Sequence, residues 1–248
     1  MMIRLLGVLI WIGPATIWYG GRMIWAVFTG SSDKTCICQK NPKRWARQLL
    51  WISGVKICFE NIDLINPSKP QILVANHSSW YDVLALVLIP GTFVFVAKRE
   101  LASIPIFGRA IGSCGHIFVD RKDRSAAVRS LGVAKDLLEN ESPTIIMFPE
   151  GTRTKTGELQ KFKKGAFVLA IQTGVDVLPA AVIGSREVMK KGSLRIKPGT
   201  ITVRVGMPIE VNGLDLEDRN ELTEGARNAV MQLQVQGAQK AIEPIGGG

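Results

Sequence analysis

Cysteine and histidine are scarce in this 248-residue sequence, which contains four cysteines and two histidines. The cysteines form no C-x-x-C pair, and two histidines are too few to complete a zinc site with them, so no metal site is predicted. Four cysteines in a chain of this length do not make a disulfide framework either. We therefore expect a reducing compartment, with small buried apolar side chains at Cys36, Cys38, Cys58 and Cys114.

Acidic residues are the second shortage. The sequence has 31 Lys and Arg against 21 Asp and Glu, and this net charge of +10 favours an anionic partner: nucleic acid, a phosphorylated substrate or an acidic membrane surface. The hydrophobic fraction of 46% excludes a disordered, collagen-like or coiled-coil protein. The length suits one globular domain, or one domain with an appendage.

An early run of the chain has no charged residue. Residues 5–21 contain no charged side chain, and Arg22 follows at their end. A helix of about 20 apolar residues can cross a bilayer. Gly13, Pro14 and residues 20–22 interrupt the run, however, so a shallow or re-entrant insertion stays open beside a full span. A cleaved signal peptide is not favoured, because no small-x-small site follows the run.

A second helix is predicted to begin after Asn41, because Asn41 and Pro42 have the form of an N-cap and a first helical residue. Trp45, Leu49 and Ile52 then share one face, and the basic residues turn elsewhere. This pattern is typical of a basic amphipathic helix that lies on a membrane.

Tryptophan and charge both favour a lipid environment for this part of the chain. Trp11, Trp18 and Trp25 are seven residues apart, so they share one face of an unbroken helix, and indole prefers the headgroup boundary. The alternative is that they pack against the globular domain. Residues 1–70 carry nine basic and three acidic side chains, which favours anionic lipid over nucleic acid. We predict that residues 1–55 form a helical membrane anchor.

Beyond residue 55, short apolar runs alternate with helical patterns. This rhythm predicts an α/β domain over residues 56–235, with a central mostly parallel or mixed sheet flanked by helices. The last residues, 236–248, are predicted to be a flexible tail. A hairpin is predicted over 194–205, turning at Pro198 and Gly199. The other predicted elements are strands at 72–75, 93–97, 117–119, 144–148 and 177–183 and helices around 128–138, 165–173 and 222–233.

A histidine and an aspartate follow the first of these strands. Helical positions five apart point about 140° away from each other, so His77 and Asp82 can meet only if His77 lies in the loop and Asp82 in the first helical turn. The carboxylate would then fix the imidazole tautomer and leave the other nitrogen free to act as a general base. A structural role competes with this interpretation, because Ser79 and Asp82 also match a helix capping box.

A tight turn with polar side chains follows the strand at 144–148. Arg153 in this turn can bind a phosphate through two hydrogen bonds, or can form a surface ion pair with a nearby glutamate, Glu150 or Glu158. Lys98 and Arg121 end two further strands, and strand ends are where open α/β sheets bind ligands. The three cations would make a phosphate pocket if these ends converge.

Four segments, in this order and at these spacings, resemble the motifs of the glycerolipid acyltransferase family, and in particular its bacterial 1-acyl-glycerol-3-phosphate acyltransferases. His77 and Asp82 match H-x-x-x-x-D, and residues 148–153 match F-P-E-G-T-R without departure. Residues 115–121 and 178–182 match the other two motifs. The hydrophobic amino-terminal segment and the basic helix are also similar to bacterial members.

The resemblance implies transfer of an acyl group from acyl-CoA or acyl carrier protein (acyl-ACP) to the sn-2 hydroxyl of a lysophosphatidic acid, which gives phosphatidic acid. It implies no metal or other cofactor and no acyl-enzyme. His77 would deprotonate the hydroxyl and Asp82 would orient His77. The implied location is the cytoplasmic membrane, with the active site on the cytoplasmic face and anionic lipid, not nucleic acid, as the surface partner.

The resemblance also assigns the acceptor phosphate. Arg153 would bind it, together with Lys98 and Arg121, while Glu150 and Gly151 would shape the turn that positions Arg153.

Alternatives remain at this point. The acceptor can be glycerol-3-phosphate or another lysophospholipid, and the chain can be an inactive lipid-binding membrane protein. A covalent route would need Cys114 as nucleophile and His116 as base, and we predict instead that Cys114→Ser keeps most activity. The acyl donor, the chain-length preference and the oligomeric state cannot be read from the sequence.

Overall fold

The computed structural model describes residues 2–120, 123–141 and 143–240. Over these residues the chain forms one seven-stranded sheet in the order β1-β7-β6-β2-β5-β3-β4. The strands are β1 Val55–Glu60, β2 Gln71–Ala75, β3 Phe93–Lys98, β4 Ile117–Val119, β5 Thr144–Met147, β6 Val177–Ile183 and β7 Gly199–Val205. The helices are α1 Met2–Phe28, α2 Lys34–Ser53, α3 Tyr81–Leu86, α4 Phe107–Ser113, α5 Arg124–Glu141, α6 Gly165–Thr173, α7 Ser185–Val188 and α8 Arg219–Lys240, with 3-10 turns at Ile62–Leu64 and Arg99–Ser103.

The sheet is mixed. Strands β6, β2, β5, β3 and β4 run parallel to one another, β7 runs antiparallel to β6, and β1 pairs with β7 in parallel. The predicted α/β fold with a mostly parallel or mixed sheet is confirmed. The carboxyl ends of the five parallel strands meet at one edge, which is where such sheets place ligand sites.

The hairpin predicted over 194–205 is wrong. Residues 193–198 form an irregular loop, and only β7 follows it. Its register pairs Gly199 with Val55 of β1, a strand that the sequence pattern did not reveal. β1 is an edge strand with exposed side chains at Lys56 and Cys58, so it lacks the continuous apolar run of a strand buried on both faces.

Helices cover both faces of the sheet. On one face α2 and α3 pack over strand residues such as Leu73 and Phe93. On the other face the cluster includes Ile72, Phe167 and Val230, from β2, α6 and α8. Every residue of β2 is buried, which explains why the interior strands were visible in the sequence as short apolar runs.

The amino-terminal helix is continuous. Pro14 lies inside α1 without ending it, and the segment Ile3–Phe28 is long and apolar enough to cross a membrane. Trp18 and Trp25 are 63% and 67% exposed and do not pack against the globular domain. Trp11 is 40% exposed and donates to Gln48 Oε1 of α2 at 3.1 Å, so the packing alternative holds in part for Trp11.

The second helix starts earlier than predicted and packs differently. α2 begins at Lys34. Asn41 is buried within this helix, and its side-chain amide donates to Tyr19 O of α1 at 3.3 Å. The prediction of an N-cap at Asn41 is therefore wrong. The apolar face of α2 was predicted to meet lipid, but Leu49 and Leu50 lie in the domain core. Trp51 of α2 is nevertheless 82% exposed. Most of the exposed apolar surface of the helical pair lies on α1, at Ile3, Leu6, Leu9, Ile10, Trp11, Ile12, Ile17, Trp18, Trp25 and Phe28.

The cysteines also differ from the expectation of four buried apolar thiols. Cys38 of α2 and Cys114, after α4, form a disulfide with Cα atoms 5.5 Å apart, whereas Cys36 and Cys58 are exposed. The pairing depends on tertiary contact that sequence spacing does not show, because α2 and α4 both pack against α1. At the other end of the chain, the predicted tail at 236–248 begins inside α8, and residues 241–248 lie outside the described part of the chain.

Candidate active site

The site begins where β2 ends. His77 lies in the loop after β2, and Asp82 lies in the first turn of α3. His77 Nδ1 is 2.8 Å from Asp82 Oδ2, so the predicted contact between the two side chains is present. The Asp82 side chain is fully buried, and the His77 side chain is 16% exposed. Because the carboxylate accepts at Nδ1, the imidazole carries its proton there and Nε2 is left as the acceptor.

The capping role and the dyad are one arrangement. Asp82 Oδ2 also accepts the backbone N–H groups of Ser78 at 2.7 Å and Ser79 at 2.8 Å. The Ser79 hydroxyl donates to Met189 O at 2.7 Å and accepts the Tyr81 N–H at 3.3 Å, at the start of α3. The N–H groups hold the carboxylate at the start of α3 in the position where it receives the imidazole.

An aromatic ring stacks against one face of the imidazole. Phe148, directly after β5, stacks on His77 with ring centroids 4.0 Å apart and planes 16° apart. With one ring edge on Asp82 and one face on Phe148, the imidazole has little freedom to rotate.

The turn after Phe148 is tied to the His77 loop through Glu150. Glu150 Oε1 accepts the His77 N–H at 2.5 Å, while Oε2 accepts two N–H groups of Gln160, at 3.0 Å from the backbone and 3.1 Å from the side chain. His77 O accepts the Thr154 N–H at 2.9 Å, so both backbone polar groups of His77 bind this turn. Burial raises the pKa of Glu150. Through these hydrogen bonds, the Glu150 carboxylate links the backbone of His77 to Gln160 and positions His77.

Glycine is required at the next position. Gly151 has φ of +74°, and a Cβ there would lie 2.9 Å from Lys163 Cε. The left-handed backbone disfavours any residue with a Cβ, whereas the flexible end of the Lys163 side chain can move aside. The role of Gly151 in positioning Arg153 stays a prediction.

Arg153 lies close enough to the dyad for its guanidinium to interact with the charge of Asp82. Its guanidinium carbon lies 4.9 Å from the centre of the Trp80 ring. Burial lowers the Arg153 pKa, and the charge of Asp82 partly offsets this. Neither Glu150 nor Glu158 forms an ion pair with Arg153, so the predicted surface ion pair is wrong.

Of the other two predicted cations, Lys98 forms its ion pair elsewhere. Lys98 ends β3, is about half exposed and pairs with Glu100 at 2.7 Å. Arg121 lies outside the described residues. Sequence reasoning missed Lys191, whose Nζ donates to Arg153 O at 2.6 Å and to Thr152 Oγ1 at 3.2 Å. The only signal was the basic pair at 190–191, which matches no motif.

Cys114 and His116 do not form a nucleophile and base. Cys114 is disulfide-bonded, and His116 Nδ1 accepts the Phe95 N–H at 2.9 Å. Burial lowers the His116 pKa to about 4, so this imidazole is neutral near pH 7. Over the residues that the structure describes, there is also no group of three or more His, Cys, Asp or Glu side chains placed to hold a metal ion.

The fold and the site define an α/β protein with a histidine–aspartate dyad and an arginine at the carboxyl edge of a mixed sheet. The family described as Acyltransferase matches residues 56–183, more than half of the chain. The chain belongs to this acyltransferase family, which confirms the resemblance of the motifs.

Relatives with assigned names support the same placement. A 1-acyl-sn-glycerol-3-phosphate acyltransferase of Cocos nucifera is 35% identical over 179 residues, which are 72% of this chain and 58% of that protein. The alpha enzyme of that name from Homo sapiens is 31% identical over 184 residues, covering 74% of this chain and 65% of the human protein. The chain thus spans less than two thirds of the length of these relatives.

A solved structure matches almost the whole chain. The 1-acyl-sn-glycerophosphate acyltransferase PlsC from Thermotoga maritima superposes with a TM-score of 0.79 at 25% sequence identity. The match covers 94% of this chain and 95% of that protein, so it includes the amino-terminal helices as well as the sheet.

Proposed function

We propose that this protein transfers an acyl group from a thioester to the sn-2 hydroxyl of 1-acyl-glycerol-3-phosphate, which gives phosphatidic acid. The observation that carries the proposal is the His77–Asp82 contact at 2.8 Å, which leaves Nε2 as an acceptor, together with an Arg153 guanidinium that interacts with the charge of Asp82. The names of the relatives support the same reaction and acceptor.

The chemistry needs one proton shuttle. His77 Nε2 removes the proton of the acceptor hydroxyl as its oxygen attacks the thioester carbonyl, and Asp82 stabilises the imidazolium that forms. A carbon–oxygen bond forms, and the tetrahedral intermediate collapses with cleavage of the carbon–sulfur bond. The departing thiolate recovers the proton from His77. No acyl-enzyme is required, and the contacts of Cys114 and His116 leave them outside this sequence of steps.

Arg153 would bind the acceptor phosphate. Its planar guanidinium can donate two parallel hydrogen bonds to phosphate oxygens while its face stays on Trp80. Lys191 holds the backbone of the same turn, so it positions Arg153. The donor is acyl-CoA or acyl-ACP, since both present the same thioester to His77, and the acid–base steps need no metal.

We further propose that α1 lies within one leaflet of the cytoplasmic membrane and does not cross it. α1 runs antiparallel along α2: Gly7 contacts Ile52, and Thr16 accepts a hydrogen bond from Trp45 at 3.2 Å. A spanning α1 would draw α2 into the hydrocarbon, and charged side chains there are costly. The charged residues of α2 are Lys34, Lys40, Lys43, Arg44 and Arg47.

The orientation follows from the donor. Acyl-CoA and acyl-ACP are cytoplasmic, so the site would face the cytoplasm while the exposed apolar face of α1 contacts lipid.

The experiment is an acceptor panel with the purified full chain in detergent. Lysophosphatidic acid, glycerol-3-phosphate and lysophosphatidylcholine are each offered with acyl-CoA and with acyl-ACP. We expect product from lysophosphatidic acid and an increased KM for that acceptor in Arg153→Ala, with Arg129→Ala on α5 as the control. Product from glycerol-3-phosphate alone would assign a different acceptor. No product with any pair would favour a lipid-binding role.

A further inference from the structure

The loop between α7 and β7, residues 189–198, combines charge and exposed apolar surface. It contains four basic and no acidic residues, and we call it the cationic loop. Leu194 near its middle is 70% exposed. The basic residues are Lys190, Lys191, Arg195 and Lys197.

The cationic loop is held in a defined conformation. Ile196 is only 2% exposed and lies in the domain core, where it anchors the loop. The Ser193 N–H donates to Lys190 O at 3.1 Å, and the Lys197 N–H donates to Val188 O at 2.9 Å. These bonds close the loop at both sides of Leu194 and leave that side chain in solvent.

One end of the cationic loop contacts the active site. The Ser79 hydroxyl donates to Met189 O at 2.7 Å, next to the Asp82 cap. Lys191 Nζ donates to Arg153 O at 2.6 Å. The loop therefore borders the turn that carries the proposed phosphate-binding residue.

The other end contacts the amino-terminal helices. The Gly199 N–H donates to Gly54 O at 3.3 Å, just after α2 ends. A Cβ on Gly54 would lie 2.9 Å from Arg4 Nε and 3.2 Å from Pro198 Cβ, so the start of α1 adjoins the loop. Ile3, next to Arg4 in α1, is 84% exposed.

We propose that the cationic loop is a second membrane contact, which docks on anionic lipid headgroups beside α1. Lysine and arginine bind an anionic leaflet, and an exposed leucine among them can enter the headgroup boundary. A soluble polyanion would use the charges but would gain nothing from Leu194. The loop would hold the Arg153 turn against the layer that contains a phosphorylated lipid acceptor. This orientation rests on the proposed membrane-bound acyl transfer, whereas docking itself is measured without catalysis.

The first test is flotation of the full chain with phosphatidylcholine vesicles that contain or lack phosphatidylglycerol. The variant is Lys190→Glu combined with Arg195→Glu, and the control, Lys69→Glu with Lys135→Glu, makes the same charge change elsewhere. We expect the loop variant to bind anionic vesicles at least about tenfold more weakly than the control, since each cation near the surface contributes severalfold. Equal binding of the loop variant and the control overturns the proposal.

The second test removes apolar surface without a charge change. Leu194→Ser should weaken binding to both kinds of vesicle, and Val128→Ser, at an exposed apolar residue outside the loop, should not. Thermal unfolding verifies that each variant is folded. If Leu194→Ser binds like wild type, the loop does not enter the headgroup boundary and the proposal fails.

Activity measured in detergent tests the acyl transfer reaction independently of vesicle binding, so the two proposals can fail separately. The Lys190 and Arg195 variant should keep the wild-type KM for acyl-CoA and acyl-ACP. An increased donor KM with unchanged vesicle binding would make the loop a donor site and would overturn the membrane proposal. A wild-type protein that makes no phosphatidic acid, yet loses vesicle binding in the loop variants, would refute the function while supporting the loop contact.

Discussion

The side chains around His77 form hydrogen bonds and a ring contact with one another or with nearby backbone groups. Asp82 accepts from His77 and from two backbone N–H groups, and Glu150 binds the His77 backbone. His77 itself stacks on Phe148. The imidazole therefore enters the reaction already oriented, which is what a positioned general base requires.

Trp80 is predicted to position Arg153. Replacing it with alanine removes the ring that lies 4.9 Å from the guanidinium, whereas Trp80→Phe keeps an aromatic face. A cation–π contact at an exposed site contributes about 0.5–1 kcal/mol. We expect Trp80→Ala to raise the acceptor KM about two- to fivefold with little change in kcat. An unchanged KM in Trp80→Ala would remove Trp80 from this role.

The buried imidazole of His116 should make the free energy of unfolding depend on pH. Its pKa is about 4 in the folded protein and 6.5 when unperturbed, so between these values the unfolded chain binds the proton. The free energy of unfolding should therefore decrease as the pH falls from 6.5 toward 4. His116→Asn keeps an acceptor for the Phe95 N–H but does not titrate, so its dependence should be flatter. Thermal unfolding across this range measures the difference, and parallel curves would contradict the assignment.

The sequence predicted those parts of the site that are local. His77 and Asp82 are five residues apart, so helix geometry alone set the condition for their contact, and the structure meets it. Glu150 acts on the backbone of a residue 73 positions away, and Lys191 on one 38 positions away. No periodicity or local spacing reports such long-range hydrogen bonds.

At the scale of helices and strands, buried parallel strands were predictable and edge elements were not. β2 and β6 are almost fully buried apolar runs, and this pattern identifies them. β1 depends on pairing with β7 far along the chain, and the start of α2 depends on packing against α1. Local signals at Asn41 and Pro198 pointed to boundaries that these tertiary contacts override.

The disulfide between α2 and α4 is predicted to matter for stability and not for chemistry. Cys114→Ser should keep most activity, because Cys114 is bonded to Cys38 and takes no part in the proposed acyl transfer. A disulfide typically contributes about 2–4 kcal/mol. Cys114→Ser and reductant should therefore lower the Tm of the oxidised protein by similar amounts, without adding together.

An inactive but folded Cys114→Ser variant would contradict direct attack on the thioester. Cys58→Ser on β1 is the control, since that thiol is exposed and unpaired.

At the scale of the whole molecule, the sheet brings the site residues together at one edge. The helices α1 and α2 are attached to the same domain. The carboxyl ends of β2 and β5 carry His77 and the Arg153 turn. α2 belongs to the domain core, so α1 is attached along its length to a rigid body. The active site therefore keeps a fixed position relative to the exposed apolar face of α1.

The proposed position of α1 predicts the side on which the chain starts. If α1 lies in one leaflet beside α2, a protease-cleavable tag fused ahead of residue 1 is on the same side of the membrane as the domain. The tag should be cleaved in inside-out vesicles and protected in spheroplasts. Cleavage in spheroplasts would show that α1 crosses the bilayer.

His77 is the proposed general base of acyl transfer to lysophosphatidic acid. The most direct measurement is phosphatidic acid formation in detergent at saturating lysophosphatidic acid, comparing wild type with His77→Ala and with His116→Asn, which changes the other histidine. Loss of a general base typically costs about 10²- to 10⁴-fold in rate. We predict that loss for His77→Ala with an unchanged Tm, and a near wild-type rate for His116→Asn. A folded His77→Ala that turns over at the wild-type rate would contradict the account.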